Sequence, residues 1–199
     1  MPKYTTCLLL ALCAGSPALL AAPQQAQLDA AVVTQGVQGV LQRAPDAAVD
    51  DLFRAVHTLA RDPHNAKHLC AVFDPEADRS PAGWSALADR LDPAHQQRLL
   101  QALGGVLVAG LQNPSPQPLD QAAAMQALKA NGARAGFLYD GFSAGMAPDA
   151  PPAARCRSLG WMLDVLQTRP LPERALVVRL LMLQGLNEAL AAQAGAGGS

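Results

Sequence analysis

The sequence predicts an all-α fold: a single-domain compact bundle of eight or nine helices, closed by one disulfide. Three observations carry that expectation. Alanine and leucine dominate a chain of 199 residues that contains no isoleucine and only 4% aromatic residues. Ala and Leu are strong helix formers, whereas strands draw on β-branched and aromatic side chains. Apolar residues recur at three- and four-residue spacing through most of the chain, and proline-rich or glycine-rich stretches separate these runs where helices must stop. The length suits one domain with a sizeable core, and no composition shift divides residues 23–194.

The chain begins with a short positive stretch, Met1-Pro2-Lys3, followed by the uncharged apolar run Cys7–Leu20, the small pair Ala21-Ala22 and the polar Pro23-Gln24-Gln25. This is the layout of a secretory signal peptide over residues 1–22, too short and too interrupted by Gly15-Ser16-Pro17 to span a membrane comfortably. A lipoprotein reading at Cys13 competes, but Leu12 stands just before that cysteine, where a small residue belongs. A periplasmic or secreted protein of a Gram-negative bacterium is therefore expected. Twelve arginines against three lysines fit a GC-rich genome. Export changes how the four cysteines read. Cys7 and Cys13 leave with the leader, and the remaining pair, Cys70 and Cys156, forms a disulfide in an oxidising compartment.

The helices follow in order. The first runs from about Gln25 to Arg43, with Leu28, Val32, Val33, Val37, Val40 and Leu41, and Pro45 ends it. Asp46 is placed to cap a second, whose Val49, Leu52, Phe53, Val56, Leu59 and Ala60 make the most regular amphipathic stripe in the chain, up to Asp62-Pro63. A short helix spans about Asn65 to Phe73. Ser80-Pro81 starts one carrying Trp84, Leu87 and Leu91, and Asp92-Pro93 starts a longer one through Leu99, Leu100, Leu103, Leu107 and Leu111. The alternating prolines of Pro114, Pro116 and Pro118 make a loop. Asp120 caps a helix that Asn131-Gly132 is expected to stop. From Ala133 to Met146, Phe137, Leu138 and Phe142 fit a helix that Gly136, Gly141 and Gly145 weaken. Residues 153–192 read as a central antiparallel hairpin broken at Arg169-Pro170-Leu171-Pro172, its first half carrying Cys156, Leu159, Leu163 and Leu166, flanked by Met162 and Val165. In its second half only Arg179 and Gln184 are strongly polar between Ala175 and Leu186. Residues 195–199 read as a disordered tail.

Composition narrows the function. A formal charge of −1 with no Lys/Arg run lacks the footprint of a nucleic-acid binder. Gly141-Phe142-Ser143-Ala144-Gly145 fits Gly-x-Ser-x-Gly and so resembles the nucleophile elbow of α/β-hydrolases, which implies a serine hydrolase acting through Ser143. In that family an acid and then a histidine follow the serine. Here His57, His64, His68 and His95 all precede it, and the favoured reading is a small-residue segment where helices approach closely. His64 and His68, four apart, share a helix face suited to a metal, but Asn65-Ala66-Lys67 between them lacks the glutamate of the zinc-protease motif, so histidines near a helix start are preferred. Asp74, Glu76 and Asp78 alternate like the start of a calcium loop, yet Arg79 and Ser85 stand where Gly and Glu belong. Trp84 is read as core by its spacing to Leu87 and Leu91.

No cofactor is expected. Half the residues are apolar, a surplus that marks a partner surface unless alanine merely inflates the count. The sequence points to a non-enzymatic interaction protein with one exported protein partner. It would be an accessory or chaperone subunit for a co-exported enzyme, such as a lipase or phospholipase, or an inhibitor or immunity protein. A periplasmic small-molecule or lipid carrier is the further alternative to the hydrolase.

Overall fold

The computed structural model describes residues 30–71, 77–78 and 81–196. The expected leader, the helix start before residue 30, Phe73, Asp74, Glu76, Ser80 and residues 197–199 lie outside the described residues. Among the described residues the protein is all-α, with nine helices and no strand: α1 (Ala30–Arg43), α2 (Asp46–Arg61), α3 (Pro63–Cys70), α4 (Pro81–Ala88), α5 (Pro93–Gln112), α6 (Gln121–Leu138), α7 (Phe142–Gly145), α8 (Pro152–Gln167) and α9 (Leu171–Ala196). Cys70 at the end of α3 and Cys156 in α8 form the disulfide across 86 positions, with their Cα atoms 5.2 Å apart.

The bundle is built around α2, which packs on α5, α9, α3 and α8. Its regular stripe explains why: Val49, Leu52, Phe53, Ala55 and Leu59 are buried, and three- and four-residue spacing puts them on adjoining faces of one helix. Leu41 and Ala44, Ala102 and Val106 of α5, Leu166 of α8, and Ala175, Val177 and Val178 of α9 close over them. A smaller cluster of Ala135, Phe142, Met162 and Val165 joins α6, α7 and α8. No described helix is long and apolar enough to cross a membrane.

The central hairpin expected over residues 153–192 is corrected. α8 and α9 follow one another directly, but α9 packs on α2, α6 and α1, while α8 packs on α7, α6, α2 and α3. Two arginines of α9 explain this divergence. Arg174 and Arg179 are both buried and find their carboxylates on α2, at Asp50 and Asp46. Arg179 also donates to the carbonyls of Leu41 and Ala44. A buried guanidinium must be met by such acceptors, so these two positions tie α9 to α2 rather than to α8. The register of α8 follows suit: Ser158, Met162, Val165 and Leu166 are its buried residues, with Leu159 and Leu163 only half-buried.

Two helix starts carry an aspartate cap. Asp120 accepts from Ala123 N–H and Asp62 from Asn65 N–H, each at 2.9 Å. Asp46 is not a cap: Pro45 holds that position, and the Asp46 carboxylate is engaged by Arg179. Asp92 stands before α5 without a side-chain cap bond because Asn65 occupies it. The stop expected at Asn131-Gly132 does not occur, and α6 continues to Leu138. Asn131 is buried and donates to Ala127 O at 2.8 Å and to Glu173 Oε1 at 3.0 Å. Its amide is thus satisfied within the helix and across to α9, where an exposed Asn–Gly would have favoured a stop.

Candidate functional site

Four polar clusters and one apolar face are the places where chemistry or binding could reside. The first cluster is Asp50, 2% exposed. It accepts from Arg174 Nε at 2.6 Å and Nη2 at 2.9 Å, and from Arg54 Nε at 2.9 Å. The bidentate Arg174 holds the Asp50 carboxyl below the usual carboxylate range, against the opposing effect of burial and with help from Arg54. All three of these hydrogen bonds come from guanidinium groups, so this is a structural clamp between α2 and α9.

The second is the His57–Asp164 pair, 2.9 Å between Nε2 and Oδ1, with Arg61 Nη1 on the other carboxylate oxygen at 3.1 Å. A histidine oriented by an acid is half of a hydrolytic triad. Here the imidazole lies stacked on Phe53, with ring centroids 5.8 Å apart, and the pair joins α2 to α8. Ser143 sits in α7, which packs on α8 and α6, neither of which carries a histidine.

The Gly141–Gly145 segment has a packing explanation. Gly141 takes the left-handed conformation, φ 83°, which lets the chain turn from α6 into α7. A Cβ on Gly145 would collide with Ser158 Oγ and stand 2.6 Å from Ala154 O. Ser158 in turn donates to Phe142 O at 3.1 Å, so α7 is pressed onto α8 at this glycine. Replacing Gly145 by alanine is expected to lower stability by about 1–3 kcal/mol through overpacking, read as a shift of the urea midpoint at unchanged slope. A neutral result would mean that α7 does not pack this closely.

The third cluster gathers three of the four histidines. His64 Nε2 lies 3.8 Å from Asp92 Oδ1, and His95 Nδ1 lies 3.8 Å from Asp92 Oδ2. The His64 and His68 rings meet edge-on, 5.3 Å between centroids. Burial, then the neighbouring Lys67 and His64 charges, push the His68 imidazole below its ordinary value. At the centre is Asn65, fully buried. It donates to Asp62 Oδ1 and Asp92 Oδ2 at 2.9 Å, sits 3.1 Å from His95 Nδ1, and accepts from Asp92 N–H at 3.0 Å. Asn65 thus ties the start of α3 to the start of α5. Among the described residues no group of three or more His, Cys, Asp or Glu side chains is placed to hold a metal ion. Asp62-Pro63 and Asp92-Pro93 are the same pair in the sequence, but only Asp62 caps its helix, and nothing local marks Asn65 as the residue that joins them.

The fourth cluster is Glu173, which accepts from Arg169 Nε at 2.9 Å and Nη2 at 3.0 Å as well as from Asn131. Arg169 holds its carboxyl below the ordinary range. This too is a tie, between α6 and the first turn of α9.

The apolar face lies on α5, and it is the reverse of what the leucine stripe suggests. The buried residues of α5 are Ala102, Val106 and Gly110, each four apart, and this small face is pressed against α1 and α2. A Cβ on Gly110 would stand 2.7 Å from Val40 Cγ1, Arg43 Nε donates to Gly110 O at 3.0 Å, and Asn113 Nδ2 donates to Arg43 O at 2.8 Å. Close approach needs small residues, so four of the leucines are turned outward while Leu99 packs against the core. Leu100, Leu103, Leu107, Leu111 and Val108 are exposed, from 37% at Leu103 to 69% at Leu111. A second group of exposed apolar side chains surrounds the α6–α7 turn: Phe137, 90% exposed, with Leu138 and Met146. Trp84 is 46% exposed, which corrects the core reading. Its helix α4 sits at the edge of the bundle, and only Leu91 beyond it is buried. No protein-family model, curated protein or solved structure matches this chain.

Proposed function

We propose that this protein works by binding another exported protein rather than by catalysis. It would serve as an accessory or chaperone subunit for a co-exported enzyme, such as a lipase or phospholipase, or as an inhibitor or immunity protein. The observation that carries the reading is the exposed apolar group at the α6–α7 turn, Phe137, Leu138 and Met146, which stands in addition to the outward leucine face of α5. Contiguous apolar surface of this kind is characteristic of interfaces. The four polar clusters support the same reading, because each is explained by holding two helices together. The Cys70–Cys156 disulfide suits a protein that works in an oxidising compartment.

The test is affinity purification of the tagged protein from the envelope and medium of its own organism, with mass spectrometry of what is retained. One stoichiometric protein partner is the expected result, and its identity separates the accessory role from the inhibitor role. Beads that retain nothing above a tag-only control, even after gentle cross-linking, would sink the proposal.

A further inference from the structure

Resting on the reading of exposed apolar surface as interface, we infer that the outer face of α5 is the contact between two copies of this chain, packed as an antiparallel, two-fold helix pair. The stripe from Leu100 to Leu111 is about 16 Å long at helical rise, and it is complementary to its own reverse. Laid antiparallel on its copy, Leu100 of one chain meets Leu111 of the other, and Leu107 of each meets Gly104. The space beyond Gly104 is open, with no atom within 4 Å of where a Cβ would stand. A leucine of one copy therefore enters a gap in the other, as ridges enter grooves in packed helices, and one patch serves both subunits, as an isologous dimer requires.

Charge points to the same occupant. The neighbours of the stripe on α5 include Gln96, Gln97 and Gln101, and Arg98, two positions round the helix from Leu100, lies on the side away from it. The face can thus meet its own image without like-charge repulsion, and the antiparallel arrangement opposes the two helix dipoles favourably. The area is sufficient as well. The five exposed side chains present roughly 500 Å² of apolar surface, so two copies would bury on the order of 1,000 Å² or more, the size at which specific interfaces begin. The exposed Phe137, Leu138 and Met146 remain outside this contact, leaving each subunit an apolar surface for the exported partner.

The test is sedimentation equilibrium of the purified, disulfide-intact protein at micromolar concentration. The expected result is a dimer that Leu103→Glu with Leu107→Glu weakens at least a hundredfold at unchanged helical signal, with a melting temperature that no longer rises with protein concentration. A second variant removes any ambiguity about folding. Gly104→Leu raises helix propensity on an open surface, so the subunit should be as stable as before, yet filling the gap should weaken the dimer at least tenfold. A wild-type protein that stays monomeric overturns the second copy as occupant, and so does a dimer indifferent to both variants. If that monomer still retains a partner that the Leu103→Glu, Leu107→Glu variant loses, the face belongs to the partner and the interaction reading survives. If the monomer retains nothing, both readings fail.

Discussion

Replacing Asp50 by alanine is expected to destabilise the protein by about 3–5 kcal/mol, because it leaves the Arg174 guanidinium buried without its counter-charge. For a chain of this size that corresponds to a melting temperature lower by roughly 10 °C. Arg174 is 7% exposed, lies with its guanidinium carbon 5.9 Å from the centre of the Phe53 ring, and among the described residues has Arg169 O as its only other acceptor. It has little scope to turn to water. A double variant, Asp50→Leu with Arg174→Met, should recover much of the loss, since an apolar pair of similar volume avoids the desolvation cost. Urea titration of the three proteins checks this. A loss below about 1 kcal/mol in Asp50→Ala would mean that α9 is not anchored on α2 through this pair.

The same pair sets an acid limit on stability. The folded-state pKa of Asp50 lies below its unfolded value of about 3.9, with Arg174 as the main cause. Its contribution is therefore fully present above the unfolded value and is lost as pH falls through the folded one. Glu173, depressed chiefly by Arg169, has the same sign. Stability is expected to fall below about pH 4, and the fall should be shallower in Asp50→Ala, measured as the urea midpoint against pH.

Removing the disulfide by Cys70→Ser with Cys156→Ser is expected to cost up to roughly 4–5 kcal/mol, the loop-closure entropy for a loop of this length. The physical reason is distance along the chain. The 86 positions between the cysteines include all of α4, α5, α6 and α7, so the unfolded state gains a large freedom when the link is cut. α3 is short and is held by its packing on α2 and α8 and by the bonds of Asn65 to Asp92 and His95, so the loss should appear first as faster amide exchange in α3. Thermal unfolding with and without a reductant provides the control. A melting temperature indifferent to both reduction and substitution would show that α3 stays docked without its covalent link.

These expectations draw on features that differ in how far they could be read from the chain. The stripe of α2 was fully legible, because Val49, Leu52, Phe53 and Leu59 are large, regularly spaced and flanked by charges. The α5 face was legible as a stripe but not as an orientation. Five leucines at helical spacing look like a core face, whereas Ala102, Val106 and Gly110 look like filler. Packing reverses this, because Gly110 admits the Val40 backbone at a distance no leucine would allow. The site candidates followed the same rule. Ser143 and the His64–His68 pair were found by spacing, but Asp92 and His95, which meet Asn65, lie 27 and 30 positions beyond it and come near only when α3 and α5 start side by side.

The sequence by itself determined the helical class, the positions of most helix starts and the pairing of Cys70 with Cys156. Each depends on local propensity or on counting the cysteines that an exported chain would keep. The tertiary structure alone decided that α9 leaves α8 to lie on α2, that α6 runs through Asn131, and that four of the five leucines of α5 face outward. Those outcomes depend on which helix supplies a carboxylate for a buried arginine, an acceptor for a buried amide, or a surface near enough to need a glycine. Such partners are properties of neighbours in space, and periodicity along one helix does not contain them.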